Sequence, residues 1–354
     1  MTSVLHVQKV SGISGSEGHL LSLVPLLRDR GWDARMLVLH EDEPGAGEFV
    51  ERMRAAGVPT DAWRMRLDLD PTVPLRLIGR HRPTILHTHL VHADVLALPA
   101  AALRRVPVRI STKHGFNAFR GNRVVASVDR AAARLAHRQI AISRGLATYL
   151  EVTQGYPAGT FTVVHYGIEA GPEPPPPAES TRLLAVGRLI EIKGFDVLLR
   201  AFAIARRDVP QLTLELAGAG PLEQRLSAAA PDGVTFLGRV SDVAPCYERS
   251  SILVAPSRGE GFGLVALEAA ERGRAAIVSD VGGLPEIVAD GETGLVVPAG
   301  DERALAESIV ALTRDPVRVR AMGAAARRRA VEEFSAEAAA AGVEAVYRQE
   351  LDRR

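Results

Sequence analysis

Short apolar runs rich in β-prone residues alternate with longer amphipathic stretches along the whole chain. In the first half the runs fall at 4–7, 36–39, 85–87, 108–111, 139–142 and 161–164, with helical spacing between them at 19–29, 49–56, 93–104 and 123–136. Continuous apolar strands separated by helices predict a parallel sheet covered on both faces. The segment Gly171-Pro172-Glu173-Pro174-Pro175-Pro176-Pro177 breaks the rhythm and reads as an extended, stiff linker. The rhythm then restarts, with strands expected at 183–186, 212–217, 234–237, 252–255, 276–278 and 294–297. Helices are expected at 195–206, 222–229, 264–272, 305–312, 322–333 and 336–352. This predicts an α/β chain of two facing Rossmann-like domains, 1–170 and 178–335, followed by a helix in 336–354 that packs back on the first domain. Ligands of such sheets bind beyond the carboxyl ends of the strands, which here means an interdomain cleft.

Composition adds limits rather than a fold. A length of 354 residues suits two domains, and 47% hydrophobic with 24% charged residues is ordinary for a globular protein. The single cysteine, Cys246, rules out an internal disulfide and fits a reducing compartment. No basic leader followed by an apolar run opens the chain, and no run approaches the roughly 18 apolar residues of a membrane span. The expected location is the cytoplasm. The net charge of +1 hides an asymmetry: residues 1–170 hold 21 Lys and Arg against 15 Asp and Glu, and the remainder 22 against 27. Either this is scatter of surface charge, or the first half meets something anionic, such as a membrane surface or a phosphate-bearing acceptor.

The chemistry concentrates in two loops. Pro256-Ser257-Arg258-Gly259-Glu260-Gly261-Phe262-Gly263 joins a strand to a helix. Its alternating glycines open the backbone, and the helix N-terminus behind them favours an anion. Glu260 and Glu268 bracket the loop eight positions apart. Two acceptor-only groups beside an anion site suit a ligand that is part phosphate and part hydroxyl, and a nucleotide sugar is such a ligand. A capping glutamate and a solvated one is the equal competitor. The second loop, Gly187-Arg188-Leu189-Ile190-Glu191-Ile192-Lys193-Gly194, places an arginine fork and a lysine at the end of another strand, a pair that suits a diphosphate.

Together these features resemble the retaining glycosyltransferases of family 4, which have the GT-B fold. The resemblance rests on the N-terminal glycine loop, Gly187-Arg188…Lys193-Gly194, Glu260…Glu268 and the segment from Glu286-Ile287-Val288 to Asp290-Gly291-Glu292-Thr293-Gly294-Leu295-Val296-Val297-Pro298. It implies an acceptor-binding first domain and a second domain that binds the nucleotide sugar. Arg188 and Lys193 would hold the donor diphosphate, Glu268 the ribose and Glu260 the sugar hydroxyls. Backbone at Gly261, Phe262, Gly263 and Leu264 would meet phosphate or sugar, and Arg239 and Val240 would face the base. In the N-terminal loop Ser14-Gly15-Ser16-Glu17 stands where the family has two glycines, so Gly15 keeps the backbone approach to the diphosphate while Ser14 departs from the pattern.

The resemblance also places His114, of Lys113-His114-Gly115-Phe116, near the donor sugar. His89, in His87-Thr88-His89, is a candidate acceptor-side residue, with a satisfied structural histidine as the competing reading. Metal ligation is not expected there, on the arguments that alternating strand positions face opposite ways and that no thiolate or carboxylate set accompanies them. No metal or cofactor is expected, the nucleotide sugar being substrate. Asp68-Leu69-Asp70 matches a metal-binding D-x-D but reads as a solvated turn. His165-Tyr166-Gly167-Ile168-Glu169 replaces the family's Asn-Gly-Val-Asp, a departure that bears on the hinge.

The expected reaction is transfer of a hexosyl group, with retention, from a UDP-, GDP- or ADP-sugar. Arg188, Lys193, Glu260 and His114 form the catalytic set. The acceptor is a saccharide, a lipid-linked saccharide or another small molecule of envelope polysaccharide or glycoconjugate synthesis. Arg76, Arg80, His81, Arg82, Arg104 and Arg105 could dock to anionic lipid at the inner face of the membrane, an ordinary basic surface being the rival. Nucleic acid is not an expected partner. A nucleotide-sugar epimerase and a non-catalytic subunit of a polysaccharide-assembly complex are the alternatives.

Overall fold

The computed structural model describes residues 1–41, 43–65, 72–116, 123–175 and 181–354. Asp68 and Asp70 of the D-x-D, and the linker prolines Pro176 and Pro177, lie outside the described residues. The chain divides into two compact units, one of Met1–Gly167 with Ala336–Arg354 and one of Ile168–Ser335.

The first unit alternates strands β1 (Ser3–Lys9), β2 (Asp33–His40), β3 (Thr60–Arg64), β4 (Ile85–His89), β5 (Val108–Lys113), β6 (Arg138–Ala141) and β7 (Phe161–Val163) with helices α1 (Gly15–Asp29), α2 (Pro44–Ala55), α3 (Thr72–His81), α4 (Leu90–Leu103), α5 (Arg123–Ala133) and α6 (Arg144–Gln154). The strands pair in parallel in the order β3-β2-β1-β4-β5-β6-β7. Their continuous apolar runs are explained by two covered faces. One face is packed by α1, α2 and residues near the C-terminus around Phe49, Met36 and Tyr347, the other by α3 and α4 around Leu5, Leu86 and Leu96. The hydrophobic pattern did not reveal β3. It is an edge strand with three polar residues in five and alternates only weakly between buried and exposed positions.

In the second unit β8 (Arg182–Val186), α7 (Phe195–Asp208), β9 (Thr213–Ala217), α8 (Glu223–Ala228), β10 (Val234–Gly238), α9 (Ala244–Arg249), β11 (Ile252–Ala255), α10 (Leu264–Glu271), β12 (Ala275–Ser279), α11 (Leu284–Ile287), β13 (Gly294–Val297), α12 (Glu302–Thr313) and α13 (Pro316–Glu333) form a parallel sheet of order β10-β9-β8-β11-β12-β13 with its helices. Both sheets reverse direction of growth between their first and fourth strands. That switch point opens a crevice at the carboxyl ends of the strands. In the first unit it lies between β1 and β4, in the second between β8 and β11.

The helix α14 (Ala336–Asp352) belongs to the first unit. Ala340, Val343, Val346 and Tyr347 enter its core, with the Tyr347 ring edge-on to Trp32 at 5.2 Å. Ion pairs from Arg30 to Glu344 (2.7 Å) and from Arg138 to Glu350 (2.8 Å) flank that contact. No helix among the described residues is long and apolar enough to cross a membrane.

Candidate active site

In the second unit the two chemistry-bearing loops leave the switch-point strands and touch. Gly194 has φ +66°, and a Cβ there would lie 2.0 Å from the Pro256 carbonyl oxygen. Only glycine lets the loop after β8 close on the loop after β11. Gly282, at φ +55°, meets the Glu260 carbonyl in the same way from the loop after β12. The Arg258 amide donates to the Ile192 carbonyl at 2.8 Å, and its guanidinium binds both Asp196 oxygens at 2.7 Å. That fork holds the Asp196 carboxyl down at about 2. This strut was invisible in the sequence, because nothing in an Arg and an Asp 62 positions apart marks them as partners.

The loops so joined bring Lys193 to Glu260. Lys193 Nζ donates to Glu260 Oε2 at 2.6 Å, while the lysine stem passes 3.6 Å from where a Gly187 Cβ would sit. Both side chains keep some exposure, 20% and 15%, so the pair remains reachable from solvent. Arg188 follows β8 on the same edge and is exposed, and its guanidinium has no hydrogen-bond or ion-pair partner among the described residues. Arg239 and Val240 follow β10 at that edge, the first exposed and the second half-buried. Gly261 and Gly263 are buried, and the Phe262 ring packs inward, edge-on to Phe334 at 5.9 Å. Leu264 opens α10.

Glu268 lies on α10, half-buried. The buried Tyr247 hydroxyl donates to its Oε2 at 2.8 Å. Burial pushes the Glu268 carboxyl up from the ordinary value, and the Tyr247 hydroxyl and Arg272 pull it back. Tyr247 is held in turn by Arg274, a buried guanidinium that donates to the carbonyls of Tyr247 (2.8 Å) and Glu248 (3.2 Å) at the end of α9 and of Pro175 (3.1 Å). Tyr247 was missed in the sequence, since a lone tyrosine 21 positions before a glutamate carries no signal. The segment around Asp290 proves to be turn-building: Asp290 accepts from the Val296 amide and Thr293 from the Ala289 amide, and Gly294 has no room for a Cβ beside the Ala276 carbonyl.

The first unit presents a different surface at its switch point. Gly15 begins α1 and is exposed. Ser14 is extended (φ −136°), a conformation open to any residue, and its amide and hydroxyl both donate to Glu17, which also accepts from Gln8 at 2.5 Å. The departure from glycine at position 14 is thus used to fasten the loop. Beside it stands a histidine cluster, and here one expectation is corrected. His87 and His89 are two positions apart, so they share a face of the sheet, while Thr88 points the other way to Asp94. The His87 and His89 rings lie 4.3 Å apart, and His6 from the neighbouring strand joins them with ligand atoms all within 4.8 Å. Each of these nitrogens has a protein partner. His6 Nδ1 bonds His89 Nε2 at 3.0 Å, His89 Nδ1 bonds His114 Nε2 at 2.9 Å, and His114 Nδ1 bonds the Tyr166 hydroxyl. His87 bonds Tyr347 and Thr112, both at 2.7 Å.

Burial drives His6 down to about 3 and lowers His87, His89 and His114 well below 6.5, helped by their mutual proximity, by His19 and, for His114, by Lys113. The rings are neutral at physiological pH. His89 is 1% exposed and both its nitrogens are engaged, so it reaches the site edge only through half-buried His114. Tyr166 bears on this cluster directly, not only on the hinge. Behind it a separate buried group, Lys113 between Asp94 (2.6 Å) and Asp129 (2.9 Å), fixes the end of β5 from which His114 extends.

Two parallel α/β units of this strand order have the architecture of the GT-B fold. Residues 13–171 match the model described as glycosyltransferase family 4, and residues 180–315 match that of glycosyl transferases group 1. The alpha-maltose-1-phosphate synthase of Mycolicibacterium smegmatis is 33% identical over 71% of this chain and 75% of its own. The phosphatidyl-myo-inositol mannosyltransferase of Mycobacterium leprae is 30% identical over 89% and 88%. Among solved structures, Anabaena HepE in complex with UDP superposes with a TM-score of 0.83 at 20% identity, over 99% of this chain and 100% of that one. The chain belongs to glycosyltransferase family 4, and it is a glycosyltransferase.

Proposed function

We propose that the enzyme moves a hexosyl group, with retention, from a nucleotide diphosphate sugar to a saccharide or lipid-linked acceptor. The Lys193–Glu260 pair carries this reading. A cation suited to a diphosphate is held against a carboxylate suited to sugar hydroxyls, and exposed Arg188 stands on the same sheet edge. Arg188 and Lys193 neutralise the diphosphate, Glu260 positions the sugar, and Glu268, aimed by Tyr247, receives the ribose. Backbone at Gly261, Phe262, Gly263 and Leu264 meets phosphate or sugar, and Val240 adjoins the base. Gly15 and His114 keep the diphosphate and donor-sugar roles that the family resemblance gives them. His89 acts through His114.

In the proposed step the bond from the anomeric carbon to the phosphate oxygen breaks. The acceptor oxygen bonds to that carbon on the same face, and its proton passes to the departing phosphate. Charge grows on the diphosphate, where Arg188 and Lys193 stabilise it more in the transition state than in the ground state. No metal or cofactor has a part in this scheme. A thermal-shift series with UDP-, GDP- and ADP-sugars identifies the donor. HepE, whose structure holds UDP, favours the uridine series. Free nucleoside diphosphate should then appear only when acceptor is added, and turnover of the donor sugar into its epimer without acceptor would refute the proposal. For the acceptor side, Arg76, Arg80, Arg104 and Arg105 favour an anionic lipid surface. Flotation with phosphatidylglycerol vesicles at low salt tests this, and failure to float removes it.

A further inference from the structure

Seven side chains of the first unit form one unbroken hydrogen-bonded series: Tyr166, His114, His89, His6, Tyr347, His87 and Thr112. The links run from the Tyr166 hydroxyl to His114 Nδ1, His114 Nε2 to His89 Nδ1 (2.9 Å) and His89 Nε2 to His6 Nδ1 (3.0 Å). They continue from His6 Nε2 to Tyr347 Oη (3.4 Å), Tyr347 Oη to His87 Nδ1 (2.7 Å) and His87 Nε2 to Thr112 Oγ1 (2.7 Å). Except for half-buried His114, every member is at most 4% exposed.

A neutral imidazole has one donor and one acceptor nitrogen, and a hydroxyl has one proton to give. Each ring that accepts from one neighbour must therefore donate to the next, and Tyr347 must do the same if its own buried proton is to find an acceptor, so the sense at one end is imposed on the other. Only two arrangements satisfy every link and also place the Tyr347 proton. In one, all four histidines carry hydrogen on Nε2 and Tyr166 donates to His114. In the other, all four carry it on Nδ1 and His114 donates to Tyr166. A ring of opposite tautomer would set two lone pairs or two hydrogens against each other, or at Tyr347 leave the buried hydroxyl proton without an acceptor, in each case at the cost of a lost hydrogen bond.

We infer that this series is a tautomer relay through which Tyr347, His6 and Thr112 decide which nitrogen of His114 carries hydrogen. They are positioning residues for the sugar side of the site. The functional half rests on the placement of His114 at the donor sugar proposed above. The lowered basicity of the four rings supports the relay, because a doubly protonated imidazole would break it. A bound transition metal is the rival use of His6, His87 and His89. It would have to displace His87 from one of its two hydroxyl partners and bring two positive charges into a site of neutral rings.

Long-range nitrogen–proton spectra of the full chain labelled with 15N-histidine read each ring's tautomer without any sugar present. The relay requires His6, His87, His89 and His114 to share one tautomer in the native protein. Tyr347→Phe leaves His6 Nε2 and His87 Nδ1 unpartnered, and Thr112→Val leaves His87 Nε2 so. An unpartnered buried N–H costs more than an unpartnered lone pair, so in both variants His6, His89 and His114 should carry hydrogen on Nδ1. Thr112→Val is nearly isosteric and keeps the test available should Tyr347→Phe fail to fold. Mixed tautomers among the native rings, His114 with hydrogen on Nε2 in either variant, or one equivalent of zinc in the purified protein with metal-shifted ring signals would each overturn the relay. In activity, whichever variant changes the His114 tautomer should lower kcat/KM for the donor about tenfold with the affinity for free nucleoside diphosphate unchanged. A changed tautomer with unchanged kcat/KM would overturn its functional half alone. The donor-site proposal stands or falls separately, on variants of Lys193 and Glu268.

Discussion

The two units carry their polar residues at the same topological position and build with opposite materials. At the β8–β11 switch point the groups are charged, partly exposed and drawn from two short loops: Arg188 and Lys193 from one, Glu260 from the other. At the β1–β4 switch point they are neutral, mostly buried and drawn from six strands, helices and connections, from His6 to Tyr347. Charges that meet a charged ligand must stay near water until it arrives, so a short exposed loop suits them. Neutral rings that orient one another gain from burial, which strengthens each hydrogen bond and excludes competing water.

If the charged half supplies transition-state stabilisation, Lys193→Ala gives the largest effect. Turnover should fall about 10²- to 10³-fold, the range for removing one preorganised electrostatic group, with a smaller change in donor affinity. Stopped assays of nucleoside diphosphate release measure it, and an unchanged kcat would break the comparison at once.

The neutral half should be the acid-sensitive one. Its histidines are depressed in the folded state, so the unfolded chain binds more protons as pH drops. Their stabilising share is complete above about pH 6.5 and is lost as pH falls from there towards 3. Each ring can forfeit about 1.4 kcal/mol per pH unit in that window. Asp196, held at about 2 by Arg258, responds only at lower pH. Both tryptophans, Trp32 and Trp63, belong to the first unit. Tryptophan fluorescence should therefore report unfolding between pH 6 and 4.5 while the second unit persists, and a melting temperature flat over that range would contradict the buried neutral cluster.

Within the charged half, Glu268→Gln should weaken donor binding by roughly 1.5–3 kcal/mol with little loss of kcat, the scale of a hydrogen bond to a charged group. Tyr247→Phe should cost less, about 0.5–1.5 kcal/mol. Because the hydroxyl opposes the upward push of burial on Glu268, its removal should also move the acidic limb of donor kcat/KM to higher pH. Calorimetry and a pH profile separate the two variants. The smallest effect belongs to Arg258→Ala. That ion pair is more than a third exposed on the arginine side, and solvent leaves it no more than about 1 kcal/mol.

What could be read in the sequence follows the same division. Gly187-Arg188…Lys193-Gly194 and Glu260…Glu268 are each local in sequence, so their place between a strand and the following helix could be read directly. All six strands of the second sheet were legible because each is a short, mostly apolar β-prone run, from fully buried β11 and β12 to half-buried β10 at the edge. The histidine cluster was not, because its members meet only after β1, β4, β5 and α14 assemble. The argument that set His87 against His89 misapplied the alternation of a strand, in which positions two apart share a face. β3 escaped because an edge strand need bury only one side. Tyr247, Asp196 and Gly282 act through neighbours far along the chain, and no local pattern marks them.

Helix α14 has a consequence for how the protein is made. The core of the first unit is completed by Val343, Val346 and Tyr347, and these are translated after the whole of Ile168–Ser335. The unit that begins first on the ribosome therefore finishes second. Its apolar face against α1 and β5 must wait, uncovered and prone to wrong partners, through the synthesis of an entire neighbouring unit.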